Sequence, residues 1–180
     1  VRGPDGRLQH TCHAFPRPWL TFVAQLGLHR AFPRSRIFGA YDMTWWDHAE
    51  PRRVDWLSGV CIATTRAVWE RVGPLDEGYF MYAEDVDWCH RLAQAGYDRW
   101  YLPSAEIMHH EAGSWADASE DRIIASHRAT FRFFGKHYGH LAEVAQRLLV
   151  MSGGLLRGSF WNIMAPVLGE QRELISDHEL

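Results

Sequence analysis

Apolar residues fall into helical and extended periods along this chain, separated by segments that keep neither. From Asp85 to Ala95 the apolar positions are Val86, Cys89, Leu92 and Ala93, the spacing of an amphipathic helix, and Gly96 supplies a C-terminal stop. Helical spacing recurs from Ser119 to Gly135, with Ile123, Ile124, His127, Phe131 and Phe134 on the apolar side. Beyond it, Leu141, Val144, Ala145, Leu148 and Leu149 share a face opposite Glu143, Gln146 and Arg147. Shorter helices are expected from Trp19 to Leu28 and from Thr65 to Val72, the second opened by a threonine cap and closed before Gly73. Trp56 to Ala63 reads as a buried strand from its Val, Cys and Ile content, Trp100 to Pro103 as a short strand, and Ile107 to His110 as the end of another. Residues 1–18, with Pro4-Asp5-Gly6 as a turn and Pro16 and Pro18 as breakers, read as loop, and Pro33 to Glu50 as irregular.

Chemistry concentrates where the Asp85 helix begins. A turn-rich loop, Gly73-Pro74-Leu75-Asp76-Glu77-Gly78-Tyr79, leads into Phe80-Met81-Tyr82-Ala83-Glu84-Asp85-Val86-Asp87, which sets three acids in the first helical turn. An isolated Asp there needs no role beyond capping, because acids suit the positive end of a helix dipole. Asp87 and Arg91 have the i,i+4 spacing of a helix-surface ion pair, and orienting the acidic loop is the other role open to Arg91.

Composition narrows the classes. The 180 residues are an ordinary single-domain length, and 47% hydrophobic against 23% charged excludes a disordered chain. A net charge of −3 and a pI near 6.4 give no support for a nucleic-acid binder. Nine tryptophans suit sugar-stacking platforms as well as cores. The three widely spaced cysteines, Cys12, Cys61 and Cys89, form no disulfide framework, and a reducing cytoplasm is the simpler setting. His10-Thr11-Cys12-His13 has no partner cluster at zinc spacing. No run approaches the ~20 apolar residues of a spanning helix. The nearest, Leu155 to Leu168, is broken by Pro166. The helix before it either packs on its own domain or lies against a membrane surface.

Several motifs occur in one order: Val54-Asp55-Trp56-Leu57-Ser58-Gly59, the Phe80-to-Asp85 box, His109 and Ser114. Together they resemble the bacterial family 2 glycosyltransferases, and within them the rhamnosyltransferase-like group, over roughly residues 1–136. The resemblance implies an α/β fold, the C-terminal part of a GT-A (nucleotide-diphospho-sugar transferase) domain with a mixed sheet and flanking helices. A C-terminal helical extension over residues 137–180 would follow. Family members begin with a strand and loop for the nucleotide base and an Asp-x-Asp motif for metal and diphosphate. Residues 1–53 contain neither, and Asp85-Val86-Asp87 lies inside the later box. The expectation is therefore an acceptor side and a base without the donor half, inactive as this piece.

The same resemblance implies the roles. The reaction is inverting transfer of a sugar, rhamnose being one candidate, from a nucleotide diphosphate sugar to a glycan or lipid-linked acceptor in cell-envelope polysaccharide synthesis. Asp85 is the base that deprotonates the acceptor hydroxyl. Glu84 binds acceptor hydroxyls or positions the loop, and Trp56, Ser58 and Gly59 line the acceptor side, with a core role equally open to Trp56. Asp87 and Arg91 support, while Asp76 and Phe80 fix the loop. His109, 24 positions after Asp85, is a metal ligand at a strand end, with His110 as the alternative. The cofactor is a divalent cation, Mn2+ or Mg2+, held mainly by the Asp-x-Asp motif this chain lacks. Arg122, Arg128, Arg132 and Lys136 form either a solvated face or a diphosphate clamp. The enzyme is expected in the cytoplasm, with peripheral contact to the inner face of the membrane. Two other classes remain: a non-catalytic carbohydrate-binding or partner module, and a self-contained metal-dependent hydrolase built on Glu84, Asp85, Asp87, His109 and His110.

Overall fold

The computed structural model describes residues 1–110 and 119–156, so Ser114 lies outside the described residues. In chain order the elements are β1 (Cys12–His13), α1 (Pro18–Gln25), α2 (Leu28–Ala31), β2 (Arg52–Val54), β3 (Trp56–Leu57), α3 (Arg66–Val72), α4 (Glu84–Gln94), β4 (Arg99–Tyr101) and α5 (Ser119–Tyr138). A further helix, α6, covers residues 140–156. The result is mixed α/β, with two small antiparallel sheets. β1 pairs with β3 through Cys12–Leu57 and His13–Trp56, and β2 pairs with β4 through Arg52–Tyr101, Arg53–Trp100 and Val54–Arg99.

Three extended segments differ from the expectation. The strand from Trp56 to Ala63 stops at Leu57: the Ser58 N–H makes the last bond of the β1–β3 pairing, to the Thr11 carbonyl, and the Gly59 N–H turns away to the Asp85 carboxylate. Residues 1–18 are not all loop, since Cys12–His13 supplies the partner of that strand. Ile107 to His110 joins no ladder; it is held to the start of the chain by Arg2 N–H to the Ile107 carbonyl and His109 N–H to the Arg2 carbonyl, both 2.9 Å.

The core forms where α4 and the second half of α5 meet β3. Val86 and Cys89 of α4 pack with Trp56, Tyr79, Ala129, Phe133 and Phe134. Packing on α5 begins only at Ala129, so Ile123 and Ile124, expected inside, are exposed. A second cluster joins Cys12, Trp46 and Val54 with Leu57 and Tyr101. It gathers part of the irregular segment that precedes β2 onto the sheets. Thr65 caps α3 by accepting from the Val68 N–H, as its position predicts.

Of the two settings open to α6, packing of its apolar face on the domain is not the one adopted. Gln146 and Gly153 face inward: Gln146 Nε2 donates to Thr21 Oγ1 at 2.6 Å, and a Cβ on Gly153 would lie 2.5 Å from the Gln25 Cβ. The small residue lets α6 approach α1 closely, which leaves Leu141 (85% exposed), Leu148, Met151 and Leu155 (72%) on the outside.

Candidate active site

The loop before α4 is fastened at both ends. At its start, Trp88 Nε1 donates to the Gly73 carbonyl (2.9 Å), while Arg91 donates to the Val72 and Pro74 carbonyls, each at 2.7 Å. Further on, Asp76 Oδ1 accepts the Gly78 N–H (2.8 Å), and its Oδ2 meets Lys136 Nζ at 2.8 Å and Arg132 Nη2 at 3.2 Å. Asp76 thus ties the loop to α5. Of the four cations Arg122, Arg128, Arg132 and Lys136, the last two are already engaged by a carboxylate. Phe80 is largely exposed.

Tyr82 and Ala83 then adopt left-handed backbone conformations, φ 68° and 63°. For residues with a Cβ this costs about 1–2 kcal/mol each and persists only where the surroundings enforce it. The two reversals deliver the chain directly into the first turn of α4, and Glu84 and Asp85 emerge on the wall of a pocket of about 360 Å³. Its other walls include Trp56, Ser58, Gly59 and Tyr82, together with Tyr41 and with Ser126, Thr130 and Phe133 of α5.

Asp85 is held by two backbone donors, Gly59 N–H to Oδ2 and its own neighbour Val86 N–H to Oδ1, both at 2.8 Å. Each carboxylate oxygen keeps a second acceptor site, so the group is oriented without being saturated. A Cβ on Gly59 would sit 3.5 Å from the Asp85 Cβ, an ordinary contact. Glu84 has a buried Oε2 with no hydrogen-bond partner among the described residues. Burial pushes its pKa up, its own backbone N–H opposes this, and the Asp85 charge adds to the rise. Trp56 is both core and wall: it is buried, stacks on His13 with ring centroids 4.1 Å apart, and donates from Nε1 to the Ala14 carbonyl at 2.9 Å.

Asp87 points away from this pocket into the α4–α5 contact. It is 0% exposed and meets Arg91 Nε at 2.9 Å, Lys136 Nζ at 2.6 Å and His137 Nε2 at 2.7 Å. His109 is part of a different surface. Its Nδ1 donates to Gln9 Oε1 at 3.0 Å, an arrangement that leaves Nε2 as the lone-pair nitrogen. His110 lines a concavity with Asp5, Arg7 and Gln9. Neither histidine lines the Asp85 pocket, and among the described residues no three His, Cys, Asp or Glu side chains converge as an ion would require. The self-contained metal site expected from Glu84, Asp85, Asp87, His109 and His110 is therefore not assembled. Register with the family motif places His109 near the acids, whereas the chain start captures it through Arg2 and Gln9.

Sequence reasoning missed Tyr41, Ser126 and Thr130 as pocket walls. Tyr41 sits in an irregular segment with no periodicity to place it. Burial, with Asp42 and Asp85 nearby, pushes its phenol upward, so it faces the pocket as a neutral hydroxyl. Ser126 and Thr130 are four residues apart on α5, a polar stripe that helical spacing alone could have revealed.

Comparison with known proteins bears on the region that builds the pocket. The model of the family described as glycosyltransferase like family 2 matches residues 36–123. An N-acetylglucosaminyl-diphospho-decaprenol L-rhamnosyltransferase of Mycobacterium tuberculosis is 35% identical over 144 residues, covering 77% of this chain and 45% of the relative. The rhamnosyltransferase WbbL of Escherichia coli is 40% identical over 57 residues, 32% of this chain and 22% of that protein. The chain thus spans under half the length of these curated relatives. No solved structure matches it. The family match covers the strand, loop and acid-led helix that form the pocket, and the two relatives agree with it: this chain is a family 2 glycosyltransferase-like, rhamnosyltransferase-like protein.

Proposed function

We propose that this chain carries the acceptor side and the catalytic base of an inverting glycosyltransferase with a GT-A fold. The observation that supports it most is the Asp85 carboxylate, oriented by Gly59 and Val86 N–H groups on the wall of a pocket shared with Glu84, Trp56 and Ser58. The acceptor hydroxyl attacks the anomeric carbon of the donor sugar as its proton passes to Asp85. The carbon–oxygen bond to the diphosphate breaks, and its electron pair leaves with the nucleoside diphosphate. Glu84 holds a neighbouring acceptor hydroxyl, which would satisfy its unpartnered oxygen. Residues 1–136 act as the acceptor-side portion of the transferase domain and the segment from 137 as its extension, of which residues 157–180 lie outside the described residues.

The donor is a nucleotide diphosphate sugar, rhamnose by likeness to the relatives, and the acceptor is a lipid-linked N-acetylated sugar of cell-envelope polysaccharide synthesis, by likeness to the mycobacterial one. A divalent cation, Mn2+ or Mg2+, would neutralise the departing diphosphate when bound. Its ligands would come from a donor-side Asp-x-Asp and the diphosphate, because His109 and His110 stand on a different surface from the Asp85 pocket. A lipid-borne acceptor fits the outward face of α6, where Leu141, Val144, Leu148, Met151 and Leu155 alternate at three and four residues. We assign that face to peripheral contact with the inner surface of the membrane. No helix among the described residues is long and apolar enough to cross a membrane.

The test is transfer of radiolabelled rhamnose from its nucleotide diphosphate to a short-chain N-acetylglucosaminyl-diphospho-lipid, by the full-length protein that contains this chain. Label in the lipid product that depends on Asp85 supports the reading. Donor hydrolysis without transfer, or product that forms equally well with Asp85→Asn, contradicts it.

A further inference from the structure

The Asp85 pocket has an adjoining compartment. A second cavity of about 180 Å³ shares Pro16, Tyr41, Ser126 and Thr130 with it, so the two are parts of one cleft. The walls differ in chemistry. Around the first stand carboxylates, whereas the second has none: Leu20, Ala24 and Val150 form its apolar part, and Arg17, Thr21, Gln25 and His127 its polar part. One polar side chain in it is almost wholly buried: Gln146, 1% exposed. Its Nε2 is engaged with Thr21 Oγ1, and its Oε1 has no partner among the described residues. A buried glutamine with half its amide unmet is a costly choice for packing alone, and it suits a ligand that completes the amide.

Resting on the transferase reading above, we propose that this compartment is an acceptor subsite for an acetamido group. An acetamido group is a trans amide with its N–H and C=O on opposite edges, so it meets Gln146 through one of them: its N–H donates to Oε1, or, with the glutamine amide turned over, its C=O accepts from Nε2. It satisfies that amide in either of its two orientations, since the Thr21 hydroxyl both donates and accepts. Its methyl covers Leu20, Ala24 and Val150, which a bare hydroxyl would leave facing water. The selectivity belongs to α6: the element whose outer face is apolar contributes its inward polar residue to the cleft.

The experiment uses the full-length protein and two acceptors that differ only at the sugar, N-acetylglucosaminyl- and glucosyl-diphospho-alkyl lipids. The wild type should prefer the N-acetylated acceptor by about tenfold or more in kcat/KM, as a site built around a hydrogen bond does. Gln146→Leu should reduce that preference to below about threefold. Val150→Phe, which fills the compartment from the other side, should do the same and serves if the first variant does not fold. Saturation-transfer NMR with N-acetylglucosamine gives a readout independent of turnover: its methyl should receive strong saturation in the wild type and lose it in both variants. Transfer to both acceptors with equal efficiency, or an unchanged preference in both variants, overturns the subsite while leaving the transferase reading in place. Absence of transfer to either acceptor, with no methyl saturation, removes both.

Discussion

Replacing Asp87 with alanine should destabilise the fold more than any other single change at the acidic box. The carboxylate is fully buried and faces Arg91, Lys136 and His137 at 2.6–2.9 Å, with the Tyr79 hydroxyl at 3.4 Å. Removing one partner of a buried ion pair costs about 3–5 kcal/mol. Here the stranded cations keep something: Lys136 retains Asp76, and Arg91 retains the Val72 and Pro74 carbonyls. The lower end, about 3 kcal/mol, is therefore expected, or a fall in Tm of about 6–12 °C at this chain length. Asp87→Asn keeps the shape and some hydrogen bonds and should lose less. Desolvation pushes the Asp87 pKa up, but the hydrogen bonds of Lys136, Arg91 and His137 outweigh it and hold the carboxyl below the usual 3.8. Because the folded-state value is depressed, this contribution is complete above about pH 4 and is lost as pH falls through the folded value. Urea unfolding followed by tryptophan fluorescence at pH 7 and at pH 3 measures both effects. A loss under about 1 kcal/mol at pH 7, with unchanged m-value, would refute the anchoring role.

Other substitutions test separate links. Leu92, buried on α4, should lose about 2–5 kcal/mol when changed to alanine, and a denaturant melt showing under ~0.5 kcal/mol would mean the helix is not packed as described. Glu84→Gln should stabilise the fold at pH 7 and lower acceptor affinity. The raised Glu84 pKa means that the folded state disfavours the ionised form, so the advantage should be full above the raised value and vanish as pH falls through it to the ordinary 4.5; a destabilised variant at neutral pH would contradict this. Gly59→Ala, whose new Cβ meets Asp85 only at ordinary contact distance, should melt within about 1 kcal/mol of the wild type yet raise the acceptor KM. An unchanged KM would place the acceptor elsewhere.

The features legible in the sequence are those that local periodicity and capping decide. α4, its stop at Gly96 and the Thr65 cap of α3 need only neighbours within a turn or two, and they stand where the spacing puts them. The contact of Asp85 with Gly59 spans 26 positions and was reached only through motif order, not through any periodicity. Where long-range competition decides, the pattern is not enough. The apolar stripe of α6 left burial and a membrane surface both open, and Gly153 with Gln146 docks the other side on α1. His109 was drawn to Gln9, 100 positions away, by hydrogen bonds that no composition signals. β1 is two residues long, too short to register as a strand in any window.

The most direct measurement compares the wild type with Asp85→Asn and Glu84→Gln in the full-length protein, recording turnover and donor affinity together. Asp85→Asn should keep the fold and bind the nucleotide sugar normally while kcat falls by about 10²–10⁴, the contribution of a positioned general base. Glu84→Gln should act mainly on acceptor KM. Normal turnover by Asp85→Asn, with Glu84→Gln inactive, would contradict the assignment of the base and move it one residue toward the strained turn.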